Sequence, residues 1–113
     1  MTPEERQAFR KEIEEEIERL NEEVETIREA IYPRGGGTSD KVAHIAFKQE
    51  QSLHFQRYEE TLRRLNRLKQ AMLRVETPEY GICEECEEEI PRARLRLMPE
   101  SRYCVNCMNE LGL

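Results

Sequence analysis

Between Pro3 and Tyr32 the chain has no Gly and no internal Pro, and Ile13, Ile17, Leu20, Val24, Ile27 and Ile31 recur at alternating steps of four and three. This heptad period predicts a helix with a narrow apolar stripe, suited to lying along a second helix. Thr2 is placed to cap it, with Pro3 at the first helical position and Glu5 at the far corner of a capping box. Pro33 and the run Arg34-Gly35-Gly36-Gly37-Thr38-Ser39 stop the pattern and allow the chain to reverse. A second stretch free of Gly and Pro, from about Asp40 to Thr77, carries Val42, Ile45, Leu53, Phe55, Tyr58, Leu62, Leu65, Leu68, Met72 and Val75. These are mostly three or four apart, although Gln49, Ser52 and Lys69 interrupt the stripe. Pro78 is the expected end of this helix.

Two amphipathic helices joined by a glycine loop pack most economically as an antiparallel hairpin in which each stripe covers the other. Thirty helical residues make a rod of about 45 Å, with the loop as its tip and whatever follows Pro78 at the opposite end. The predicted fold is mainly α: a coiled-coil hairpin over residues 1–77 with its tip at about 33–41, then a small module over 78–113 with a short C-terminal helix. Phe55 and Tyr58 are expected in the hairpin core. Ile82, Ile90, Leu95, Leu97 and Tyr103 are expected to cluster within the module, joined by Met98 and Met108.

The strongest chemical signal is four cysteines, Cys83, Cys86, Cys104 and Cys107, the only ones in the chain. They form two C-x-x-C pairs with seventeen residues between them, the spacing of a tetrathiolate zinc site built from two knuckles. Residues 78–113 are too few to bury a sizeable core alone, so one structural Zn²⁺ would replace the missing apolar burial. A disulfide framework would need an oxidising compartment, and the amino terminus does not resemble a signal peptide. A redox C-x-x-C enzyme would need an alternating strand and helix scaffold, for which no pattern exists. An iron–sulfur cluster also accepts four thiolates and is left open by the spacing.

Composition narrows the class. The 113 residues include no Trp, 37% are charged and the net charge is −6, so a compact globule is not expected. With no long apolar run and no export signal, the chain is expected to be cytoplasmic, without membrane contact. Residues 1–33 hold eleven Glu against five basic residues, whereas residues 40–77 hold five acidic against eight basic ones. Opposite charges thus flank the expected hairpin. The acidic balance, with Glu84-Glu85 and Glu87-Glu88-Glu89 around the first cysteine pair, argues against phosphate-backbone binding to DNA. His44 and His54 lack ligand partners at metal spacing and read as surface residues. No nucleophile and base pair, phosphate loop or enclosed carboxylate pair is present, so no enzyme is expected.

A helical hairpin followed by Tyr80-Gly81-Ile82-Cys83-Glu84-Glu85-Cys86, Ile90-Pro91-Arg92-Ala93-Arg94-Leu95, Pro99 and Arg102-Tyr103-Cys104-Val105-Asn106-Cys107 resembles the bacterial DksA/TraR family of C4-type zinc-finger proteins. The resemblance implies a monomeric transcription regulator that binds RNA polymerase without binding DNA and inserts its coiled-coil tip into the secondary channel. It places the family's tip signature, Asp-x-x-Asp-x-Ala, on Asp40, Ala43 and Ile45, keeping only the first aspartate. Asp40, Lys41 and Ala43 are therefore the candidate polymerase-contacting residues. The basic positions implied for guanosine tetraphosphate fall on Arg67, Met98 and Met108, so a response to that nucleotide is not expected. Glu87 stands where the family commonly has glycine. The alternative reading is a zinc-stabilised coiled-coil adaptor with some other partner.

Overall fold

The computed structural model describes residues 1–32 and 51–113 in full, and the helical backbone of 41–50. Among the described residues four helices follow in order: α1 (Pro3–Ile31), α2 (Lys41–Arg74), α3 (Arg92–Leu97) and α4 (Val105–Leu111). Among the described residues there is no strand, only an isolated antiparallel bridge between Ile82 and Glu89. No described helix is long and apolar enough to cross a membrane. The chain forms two compact units, Met1–Ile17 with Arg67–Leu113, and Glu18–Asn66.

The start of α1 is fixed as its sequence requires. The Glu5 backbone N–H donates to Thr2 Oγ1 at 3.1 Å, satisfying one of the orphan donors of the first turn. In the unit comprising Glu18–Asn66, Leu20, Val24, Ile27 and Ile31 of α1 are buried together with Thr61 and Leu65 of α2. The helices run antiparallel here, since Arg57 pairs with Glu23 at 3.0 Å while Gln51, farther back on α2, donates to the Ile31 carbonyl.

The stripe on α2 departs from expectation in its first half. Phe55 and Leu62 are exposed and Leu53 is 66% exposed, whereas Thr61 is buried and Gln51, His54 and Tyr58 are half-buried. The reason is register. Val75, Met72, Leu68 and Leu65 define a heptad whose continuation toward the amino terminus falls on Thr61, Tyr58, His54 and Gln51. Leu62 and Phe55 each lie one position beyond that line. Thr61 is tolerated in the interior because its hydroxyl donates to the Arg57 carbonyl at 2.8 Å. Phe55 meets Tyr32 edge to face, at a centroid distance of 6.3 Å. Tyr58 is thus partly in the core, Phe55 is not, and His54 is less exposed than a surface residue.

The unit comprising Met1–Ile17 and Arg67–Leu113 is built on Phe9, Ile13, Leu68, Ala71, Val75, Tyr80, Ile90 and Leu95, all buried. Phe9 and Tyr80 meet edge to face at 5.9 Å. Arg10 pairs with Glu76, and Arg92 with Glu5 at 3.0 Å. Helix α2 ends at Arg74, four residues before Pro78, where both the N–H and the hydroxyl of Thr77 donate to the Arg74 carbonyl. Of the expected module cluster, Ile90 and Leu95 are fully buried, but Ile82 is 37% and Leu97 79% exposed. Helix α3 has six residues, so turning Leu95 inward sends Leu97, two positions on, to the opposite face.

Candidate metal centre and adjoining cavity

The first knuckle is shaped by backbone hydrogen bonds. Ile90 N–H donates to the Gly81 carbonyl and Cys83 N–H to the Glu88 carbonyl, each at 2.8 Å, and Glu87 N–H returns to the Cys83 carbonyl at 3.0 Å. Two residues adopt the left-handed conformation that such a tight return needs, Gly81 at φ +83° and Glu87 at φ +62°. At Glu87 a side chain in this region is disfavoured, so glycine would adopt the same backbone more readily. A Cβ on Gly81 would lie 2.9 Å from Met1 Cε, the end of a flexible side chain that can move aside, so the backbone conformation is what calls for glycine there.

The second pair begins α4. Cys104 is its N-cap, and its sulfur accepts from the Cys107 N–H at 3.5 Å. Two contacts clasp this segment to the first knuckle. Glu84 N–H donates to the Arg102 carbonyl at 2.9 Å, and the Arg102 guanidinium pairs with the Glu84 carboxylate, also at 2.9 Å.

These constraints bring all four sulfurs within 4.8 Å of one another, with Cys86 and Cys104 at 3.9 Å. A tetrahedron with Zn–S distances of about 2.3 Å has edges of about 3.8 Å, so the donor set fits one zinc ion. Cys83 and Cys107 are buried, Cys104 is half-buried and Cys86 is exposed. At Cys83, burial favours the neutral thiol, but backbone hydrogen bonding at Cys86, Cys104 and Glu85 outweighs it and brings the group down to about 6. Cys107 is pushed upward, first by its hydrogen bond with Cys104 and then by burial. A bound zinc supplies a crosslink between the two knuckles.

Beneath the knuckles, Tyr80 is 3% exposed and donates its hydroxyl to the Pro99 carbonyl at 2.9 Å. Burial raises its phenol. Arg67, Met98 and Met108 are brought together on the wall of one cavity of about 430 Å³. The candidate tip residue Asp40 lies outside the described residues, and Lys41 and Ala43 lie where only the α2 backbone is described. The Arg102–Glu84 clasp and the Tyr80 anchor escaped the sequence reading, because none of the three residues belongs to a periodic stripe or a metal spacing.

Residues 78–110 match the family described as the prokaryotic dksA/traR C4-type zinc finger. An uncharacterized protein of Aquifex aeolicus (strain VF5) is 45% identical over 47 residues, covering 42% of this chain and 32% of that protein. The RNA polymerase-binding transcription factor DksA of Escherichia coli (strain K12) is 25% identical over 99 residues, covering 88% of this chain and 66% of its own length. The matched regions therefore span less than two thirds of these relatives. In fold, the chain is similar to transcription factor DksA2 from Pseudomonas aeruginosa, with a TM-score of 0.85 at 19% identity over 99% of this chain and 86% of that one.

Proposed function

We propose that this chain, a distant, DksA-like member of the DksA/TraR zinc-finger family, binds RNA polymerase, without contacting DNA, and regulates transcription by inserting the α1–α2 connection into the secondary channel. The observation that carries this reading is the similarity to a polymerase-binding factor over 88% of the chain. The antiparallel pairing of α1 and α2 is consistent with it, as a stiff two-helix probe suits a narrow channel. Cys83, Cys86, Cys104 and Cys107 hold one structural zinc ion, which ties together a module too small to be stable by apolar burial alone. Asp40, Lys41 and Ala43 form the contact surface of the tip. The protein acts as a monomer in the bacterial cytoplasm, away from membranes, and catalyses nothing. Its effect comes from binding competing polymerase conformations unequally. Guanosine tetraphosphate is not required.

A pull-down with core RNA polymerase tests the reading, using the wild-type chain and a variant in which residues 34–46 are replaced by a short turn. The wild type is expected to bind and to alter initiation, and the variant to bind without altering it. No binding by the wild type would leave the coiled-coil adaptor as the better account, and unchanged regulation by the variant would remove the role of Asp40 and its neighbours.

A further inference from the structure

A different cavity, of about 480 Å³, lies between the end of α2, the first knuckle and Ser101-Arg102, wholly within the unit comprising Met1–Ile17 and Arg67–Leu113. Its volume is that of a small-molecule site. Five charged side chains line it, the cations Arg74 and Arg102 and the carboxylates Glu79, Glu84 and Glu87. Arg102 and Glu84 already pair with each other at 2.9 Å, so neither is available to a ligand. That leaves Arg74 against Glu79 and Glu87, and among the described residues none of these three has an ion-pair partner. Arg74 is the half-buried member, and its guanidinium makes one long hydrogen bond, to the Glu100 carbonyl at 3.4 Å. Burial first, and then the nearby Arg102, work against its charge, so a carboxylate arriving beside it would be welcome. Glu79 and Glu87 are exposed, which sets them toward the mouth. Pro78, Tyr80 and Ile82 supply apolar wall between the two.

We propose that this cavity binds a small zwitterion of the amino-acid type with an apolar side chain. The carboxylate enters first and pairs with Arg74, the ammonium group stays near the mouth beside Glu79 and Glu87, and the side chain lies against Pro78, Tyr80 and Ile82. Unpaired charges of both signs are what select this class. A polyphosphate would set several negative charges against the two glutamates, and a simple cation would meet Arg74. Tyr80, Gly81 and the sulfur donor Cys83 also line the cavity, so a ligand there binds the folded knuckle and stabilises it by mass action. The site does not involve the α1–α2 connection, and it stands apart from the polymerase reading.

The test is a titration of the isotope-labelled, zinc-loaded full chain with L-leucine and L-phenylalanine at millimolar concentration, followed through the amide resonances of Gly81, Ile82 and Ser101. Leucinamide, which lacks the carboxylate, and N-acetylleucine, which lacks the ammonium group, are run beside them. Saturable shifts with at least one free amino acid are expected, with both derivatives weaker by about tenfold or more, as for the loss of one charge-assisted contact. Arg74→Met should weaken binding by a similar factor, and so should Glu79→Gln combined with Glu87→Gln. Native mass spectrometry checks that each variant keeps its zinc and is therefore folded. No saturable shift with either amino acid would overturn the proposal, as would undiminished binding by folded Arg74→Met. N-acetylleucine binding as tightly as leucine, or inorganic phosphate displacing leucine, would show a plain anion site and refute it equally.

Discussion

Replacing Glu87 with glycine should tighten the zinc module. Glu87 sits at φ +62°, in a region that costs an L-residue about 1–2 kcal/mol relative to right-handed backbone. Glycine removes that cost but brings a more flexible unfolded chain, which returns about 0.5–1 kcal/mol. The net gain expected is about 0.5–1 kcal/mol, and because zinc capture and folding of the module are linked, zinc affinity should rise about two- to fivefold. Removing a carboxylate next to thiolates would also help, for a reason unrelated to backbone conformation. Glu87→Ala separates the two effects, since it loses the charge but keeps the strained φ. The assay is competition for zinc against a colorimetric chelator, run on wild type and both variants. The reasoning fails if Glu87→Gly binds zinc no more tightly than Glu87→Ala.

Gly81→Ala is the mirror experiment: with φ at +83°, it should destabilise the module by about 1–2 kcal/mol, read as a lower thermal midpoint. Tyr80→Phe leaves the buried Pro99 carbonyl without the donor that now lies 2.9 Å away, and denaturant titration should show a loss of about 1–3 kcal/mol. At Glu5, desolvation pushes the carboxyl up, but Arg92 and hydrogen bonding at Thr2 outweigh it, so its pKa is lowered from 4.5. The stability it contributes is present above the unfolded value and disappears as pH falls through the folded one, so acid unfolding of Glu5→Gln should show a shallower pH dependence below about pH 5. Stripping zinc with a strong chelator should abolish the packing around Tyr80 seen in near-ultraviolet circular dichroism. The far-ultraviolet helical signal should fall only modestly, because α3 and α4 contribute 6 and 7 residues against 29 and 34 in α1 and α2.

Much of this arrangement is legible in the sequence wherever one residue type has one physical use. The α1 stripe from Ile13 to Ile31 is buried apart from the half-buried Ile17, and the two cysteine pairs converge as their spacing implies. The first half of α2 was ambiguous because hydrophobicity marks residues that can be buried, not the face that will be. Leu62 is more apolar than Thr61, yet the heptad set by Leu65, Leu68, Met72 and Val75 turns Thr61 inward. Leu97 was misplaced for a similar reason, as a helix of six residues has room for one buried face and Leu95 occupies it. Neither Arg102 nor Glu84 belongs to a repeating pattern, so their pairing emerges only from the folded backbone.

That pairing bears on how the ion is acquired. The two cysteine pairs, with seventeen residues between Cys86 and Cys104, are also joined by two links between Glu84 and Arg102 that involve no sulfur, one between main-chain groups and one between side chains. Half-ligated intermediates therefore keep the remaining pair of donors close at hand, at a high effective concentration. Transient loss of one or two sulfur ligands need not let the metal escape into solution, and recapture becomes an intramolecular step.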